Sequence, residues 1–125
     1  WVLRAEVALA DKEYDEANRL VERALGQAPG DFDARALQAQ IRLAQNKPGE
    51  AVALLERLAE AFPRAGQVQY QLGLAQLLNK QLPAAITALE KAIALDPNNL
   101  AGVLLLAELN LARGQAATAI ESLIP

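Results

Sequence analysis

A chain of 125 residues, 53% of them apolar, can bury one sizeable core, and a net charge of −3 is too small to mark a nucleic-acid or polycation partner. Without cysteine there is no disulfide framework, thiol nucleophile or thiolate metal site, and without histidine the commonest general base is missing. Aromatic residues make up 4% of a chain rich in alanine and leucine, which suits packed helices and not a sheet, and no apolar run approaches the ~20 residues that span a bilayer.

In chain order, residues 1–11 predict a first helix, with Leu3, Val7 and Ala10 at i, i+4 and i+7. An acidic turn follows, and a second helix runs from about Glu13 to Gln27 on Ala17, Leu20, Val21 and Ala24. Acidic residues at its start complement the helix dipole. Ala28-Pro29-Gly30-Asp31 is a turn. From Phe32, a third helix places Leu37, Ile41 and Ala44 in line, Asn46-Lys47-Pro48-Gly49 turns the chain, and Glu50–Ala61 forms a fourth. Phe62-Pro63-Arg64 ends it.

Residues 66–99 contain the clearest unit. One helix carries Leu72, Ala75 and Leu78 with Tyr70, Leu74 and Leu77 alongside, and Asn79–Pro83 is a polar break. The next helix carries Ala85, Ile86, Leu89, Ala92, Ile93 and Leu95, and Asp96-Pro97-Asn98-Asn99 closes the unit. Leu100–Arg113 predicts a further helix broken at Gly114, and Gln115–Pro125 the start of its partner.

Set beside itself at a shift of 34 residues, the chain matches in three series. Ala5, Ala39, Gly73 and Ala107 fall inside the odd-numbered helices; Ala17, Ala51, Ala85 and Ala119 open the even-numbered ones; Pro29, Pro63 and Pro97 close the pairs. This period, with helix pairs and a closing proline, resembles the tetratricopeptide repeat (TPR) family, and Trp1 and Tyr14 fall where that family often has aromatics. The resemblance covers the whole chain, as a partial first repeat (1–30), two full repeats (31–65 and 66–99) and a truncated fourth (100–125). It implies an all-α solenoid of antiparallel helix pairs in a right-handed superhelix, each pair completing its core by stacking on the next. The first residue is not methionine, so a piece of a longer protein is expected, carrying no targeting signal of its own. The Ala/Leu/Gln-rich style resembles bacterial TPR arrays. One departure concerns Arg35, Gln38, Arg42, Gln69 and Gln76, which stand where the family has large apolar residues; their long stems are expected to cover apolar surface while their ends reach water.

Candidate chemistry is sparse. Asp11, Glu13, Asp15 and Glu22 have the spacing of calcium-loop ligands, but Glu16 takes the place of the required glycine. Glu16, Glu22, Glu56, Glu60 and Glu90 lie among Arg19, Arg23, Arg57 and Lys91, the mixed-charge pattern of a solvated helix face and not of an acid–base pair. No catalytic, metal or cofactor residue is therefore assigned, and no enzyme activity is expected within this chain.

The resemblance instead implies a concave face lined by the first helix of each pair. It would carry Glu6, Leu9, Gln40, Leu43, Gln67, Tyr70, Leu74, Leu77, Leu104, Glu108 and Leu111, flanked by Val2, Asp33, Ala36 and Ala101. Leu9, Leu43, Leu77 and Leu111 recur once per repeat, and an apolar strip rimmed by Gln and Glu suits a bound peptide or helix. The chaperone-tail clamp of some TPR proteins needs Lys, Arg and Asn at places that here hold Val2, Glu6, Leu37, Gln67 and Gln71. A co-chaperone role of that kind is not expected. The expected function is thus a non-catalytic protein-binding scaffold, with neither nucleic acid nor membrane insertion. The alternatives are a structural spacer or self-assembly segment, self-associating through its truncated ends, and more distantly a regulatory part of an enzyme whose catalytic domain lies elsewhere.

Overall fold

The computed structural model describes residues 2–123, with side chains from 3 to 114, and those residues form seven α-helices and no strand. They are α1 (Val2–Ala10), α2 (Tyr14–Gln27), α3 (Phe32–Ala44), α4 (Pro48–Ala61), α5 (Gly66–Leu78), α6 (Leu82–Leu95) and α7 (Leu100–Leu123). Trp1 and Pro125 lie outside the described residues, as do the side chains of Val2, Ala119 and Leu123.

The turns follow from local chemistry. Before each closing proline the chain is forced out of the helical region: Ala28, Phe62 and Asp96 have φ of −142°, −131° and −140°. Within each pair the first helix ends on a residue in the left-handed region, Lys12, Asn46 and Lys80, all at φ 62° and 34 residues apart. There the amide after the left-handed residue donates five residues back: Glu13 to Ala8, Lys47 to Arg42 and Gln81 to Gln76, each at 2.8 Å. These bonds satisfy carbonyls that the helix end leaves free. Three identical turns fix three identical hairpins.

Helix starts are less uniform. Asp31 caps α3, its carboxylate accepting from the Ala34 amide at 2.9 Å, and Asn99 accepts from the Gly102 amide at 3.0 Å at the start of α7. The residue in register between them is Ala65, which has no side chain to offer α5. Ala65→Asp should therefore stabilise the protein by about 1 kcal/mol, seen as a rise in Tm of a few degrees.

The core is a continuous row. Ala5, Ala8, Ala17, Leu20 and Val21 of the first pair bury Leu37 and Ile41 of α3. From its other side, α3 sends Ala36 and Ala39 into a second cluster with Ala51, Val52, Leu55, Leu58, Val68, Leu72 and Ala75. Small residues set the approach of the helices, since Ala5, Ala17, Ala39, Ala51 and Ala85 are fully buried. Phe32 and Phe62 clasp the ends of the second pair, ring centroids 5.0 Å apart at 84°.

One expectation fails. Instead of breaking at Gly114 and starting an eighth helix, α7 continues unbroken for 24 residues. Prolines open α4 and place themselves in the first turn of α6, but none occurs between Pro97 and Pro125, and Ala112, Ala116, Ala117 and Ala119 are strong helix formers. One internal glycine costs about 1 kcal/mol, too little by itself to end such a helix.

Candidate functional site

The odd-numbered helices α1, α3, α5 and α7 carry the predicted face, and the pair geometry decides which of their positions stay open. Positions matching Ala39 and Gly73 turn toward the partner helix, and a Cβ on Gly73 would lie 2.9 Å from Leu89 Cγ. Positions matching Leu37 and Ile41 turn toward the preceding pair. What remains is a third side of each helix, and the predicted residues fall on it.

All eleven keep solvent exposure. Glu6, Gln67, Leu104, Glu108 and Leu111 are exposed; Leu9, Gln40, Leu43, Tyr70, Leu74 and Leu77 are half-buried. The half-buried leucines serve two purposes, because Leu9 and Leu43 also rest against the two core clusters. Tyr70 leans on α7, with Cδ2 3.5 Å from where a Gly102 Cβ would stand. Toward α7 the strip becomes more accessible, with Leu104 55% and Leu111 63% exposed. Asp33 and Ala101 are exposed too, but Ala36 is buried in the core and leaves the face. The alanine side chain is too short to emerge between its neighbours. Val2 lies outside the described side chains.

The polar residues on the supposed inner side have other duties. Arg35 and Gln38 line a crevice of about 310 Å³ with Leu25, Pro29, Leu54 and Arg57, between odd and even helices. Arg42 donates to Asn18 Oδ1 at 2.7 Å, tying α3 to α2. Gln76 does not reach water as its long stem suggested: it is 7% exposed, and its Oε1, like that of Gln71, is buried without a protein hydrogen-bond partner. Helical packing around the small Gly73 and Ala75 holds this side chain in.

Asp15 and Glu22 stand on α2, so the acidic stretch cannot wrap around an ion as a loop. Glu16 pairs with Arg19 on the surface. Among the described residues no group of three or more acidic side chains could hold a metal, and no helix is long and apolar enough to cross a membrane.

Sequence reasoning passed over the open end of the first pair. Leu3 and Val7, 72% and 55% exposed, border a cavity of about 360 Å³ with Ala8, Leu20, Asp11 and Glu16. The signal was present in the repeat, because Leu3 and Val7 are in register with the buried Leu37 and Ile41.

A tetratricopeptide repeat family model matches residues 36–99, and a second one matches residues 76–124. The Protein CTR9 homolog of Arabidopsis thaliana is 28% identical over 112 residues, which is 89% of this chain and 10% of that protein. The chain thus spans about a tenth of the length of the curated relative it matches. Among solved structures, MamA (41-end) from Desulfovibrio magneticus RS-1 superposes with a TM-score of 0.81 at 26% identity, covering 96% of this chain and 68% of that one. The first TPR of Spaghetti, solved bound to the HSP90 peptide SRMEEVD, has a TM-score of 0.82 over 89% of this chain and 88% of its own, but at 17% identity it shows the fold alone. With a family match over half the residues and this helix-pair architecture, the chain belongs to the tetratricopeptide repeat family.

Proposed function

We propose that the chain is a protein-interaction scaffold that holds an amphipathic helix or an extended apolar peptide along α3, α5 and α7. The observation that carries this reading is the accessibility of Tyr70, Leu74, Leu77, Leu104 and Leu111, while Leu37, Ile41 and Leu72 of the same kind of helix are buried. Accessible apolar side chains in a row favour an apolar ligand, and an aromatic at the middle of a patch is where binding energy concentrates. Peptide capture by the Spaghetti domain supports a peptide as ligand class. The acidic tail seen there does not carry over, because Glu6, Leu37, Gln67 and Gln71 stand where a carboxylate would need cations. Affinity should accordingly depend weakly on salt.

The test is Tyr70→Ala with Leu74→Ala, measured for melting temperature and for partners captured from a lysate. Capture should be lost while stability falls by about 1–2 kcal/mol, less than the 2–5 kcal/mol of a buried leucine. A loss as large as that of a core residue, or undiminished capture by a stable variant, would remove these residues from the binding face.

A further inference from the structure

The longest of the described helices leaves an apolar row uncovered by any described side chain. On α7, Leu100, Val103 and Ala107 lie on one side at i, i+3 and i+7, with Leu100 67% and Val103 37% exposed and Ala107 exposed as well. In every other repeat the place of Ala107 is sealed: Ala5 and Ala39 are fully buried and Gly73 is buried. What seals it is the second helix of the same pair. A Cβ on Gly73 would lie 3.3 Å from the Ala85 carbonyl oxygen, and one on Gly66 would lie 3.4 Å from that of Ala92.

Both of these facing pairs are centred on residue 79, beside the left-handed Lys80. One repeat later the centre is residue 113, and Gly114 takes the place of Lys12, Asn46 and Lys80. By register, the segment that should cover Ala107 is the one around Ala119. Yet α7 runs straight through Gly114, and no glycine here has a positive φ. At a rise of about 1.5 Å per residue, Ala119 stands roughly 18 Å along the axis from its own Ala107. A straight helix cannot cover itself.

A second copy can. Two α7 helices laid antiparallel about a two-fold axis near residues 113 and 114 set residue 119 of each beside residue 107 of the other. The facing is that of the intramolecular pairs, and nothing lies within 4 Å of a Cβ placed on Gly114, where the two helices cross. We propose that α7 is an exchange element: residues 115–123 complete the fourth helix pair of a second copy of this chain, giving a two-fold symmetric dimer. Exchange of an identical element is a low-cost route to dimers, because it reuses contacts that the sequence already encodes. The match of a TPR family model to residues 76–124 supports the pairing register, since it spans both halves of α7. Leu104 and Leu111 lie about 60° and 40° round the helix from Ala107, so the pairing would half-bury Leu111 as Leu9, Leu43 and Leu77 are half-buried, and would leave the outer edge of the proposed binding face accessible.

The absence of native cysteine makes the test direct. The double variant Ala107→Cys with Ala119→Cys, oxidised in dilute solution, should give a covalent dimer on a non-reducing gel, and the unmodified chain should sediment as a concentration-dependent dimer. An intramolecular disulfide in a monomer would mean that the chain's own helix folds back at Gly114, and would overturn the proposal. A concentration-independent monomer without a crosslink would overturn it equally. Ala116→Pro, at the place that Pro48 occupies in the second repeat, breaks the straight helix but suits a hairpin, and should weaken the dimer more than a hundredfold. Ala107→Glu should do the same without touching the helix; a dimer unaffected by it would contradict the exchange.

Discussion

Leu55→Ala is expected to cost about 2–5 kcal/mol and to lower Tm by roughly 10–20 °C, as followed by thermal denaturation. Leu55 is fully buried in α4, inside the cluster that joins α3, α4 and α5. Its neighbours Val52, Leu58, Val68 and Leu72 are held by helix backbones on both sides and can collapse only partly into the space left. Because a solenoid has contacts only between adjacent units, this loss falls in the middle of the row and uncouples the first pair from the third. Leu78→Ala, at the exposed end of α5, should change Tm by a degree or two.

Gly73→Leu is the second large effect expected, from overfilling instead of emptying. A Cβ alone would stand 2.9 Å from Leu89 Cγ and 3.1 Å from its Cδ2, and 3.3 Å from the Ala85 carbonyl oxygen. Leucine 89 can turn away, but the Ala85 backbone cannot, so the α5–α6 pair must open. A cost of about 1–3 kcal/mol is expected, measured as a shift of the denaturation midpoint. Gly73→Ala should be close to neutral, because the gain of about 1 kcal/mol in helix propensity offsets the small displacement of Leu89. A large loss for alanine would mean that the pair has no slack at all.

Much of the fold was legible because the same local chemistry recurs at a fixed period. Pro29, Pro63 and Pro97 mark the same turn in the sequence and impose the same extended residue before them. Ala17, Ala51 and Ala85 mark the same contact and are equally buried. The helix–helix turns were located, but Lys12 and Lys80 gave no sign of a left-handed backbone, since lysine has no preference for it; of the three residues there, only Asn46 is of a type that favours it. The same register then misled at Gly114, the residue best suited to that backbone, where helix-forming neighbours won.

The candidate face was legible by resemblance and by period, and burial separates its members in ways that the period alone does not. Ala36 matches Tyr70 and Leu104 in register, but only the longer side chains emerge. Gln76 reads as a surface residue and is buried, because its neighbours Gly73 and Ala75 draw the helices together around it. Leu3 and Val7 read as ordinary core positions and are exposed, since α1 has no preceding pair against it among the described residues.

The central claim is that the odd-numbered helices bind and the even-numbered helices support them. Amide hydrogen exchange, with and without a captured partner peptide, tests it most directly. Added protection should appear on α3, α5 and the first half of α7, strongest from Tyr70 to Leu77, with α2, α4 and α6 changed little. Protection confined to α2, α4 and α6, with Tyr70–Leu77 unchanged, would contradict the account.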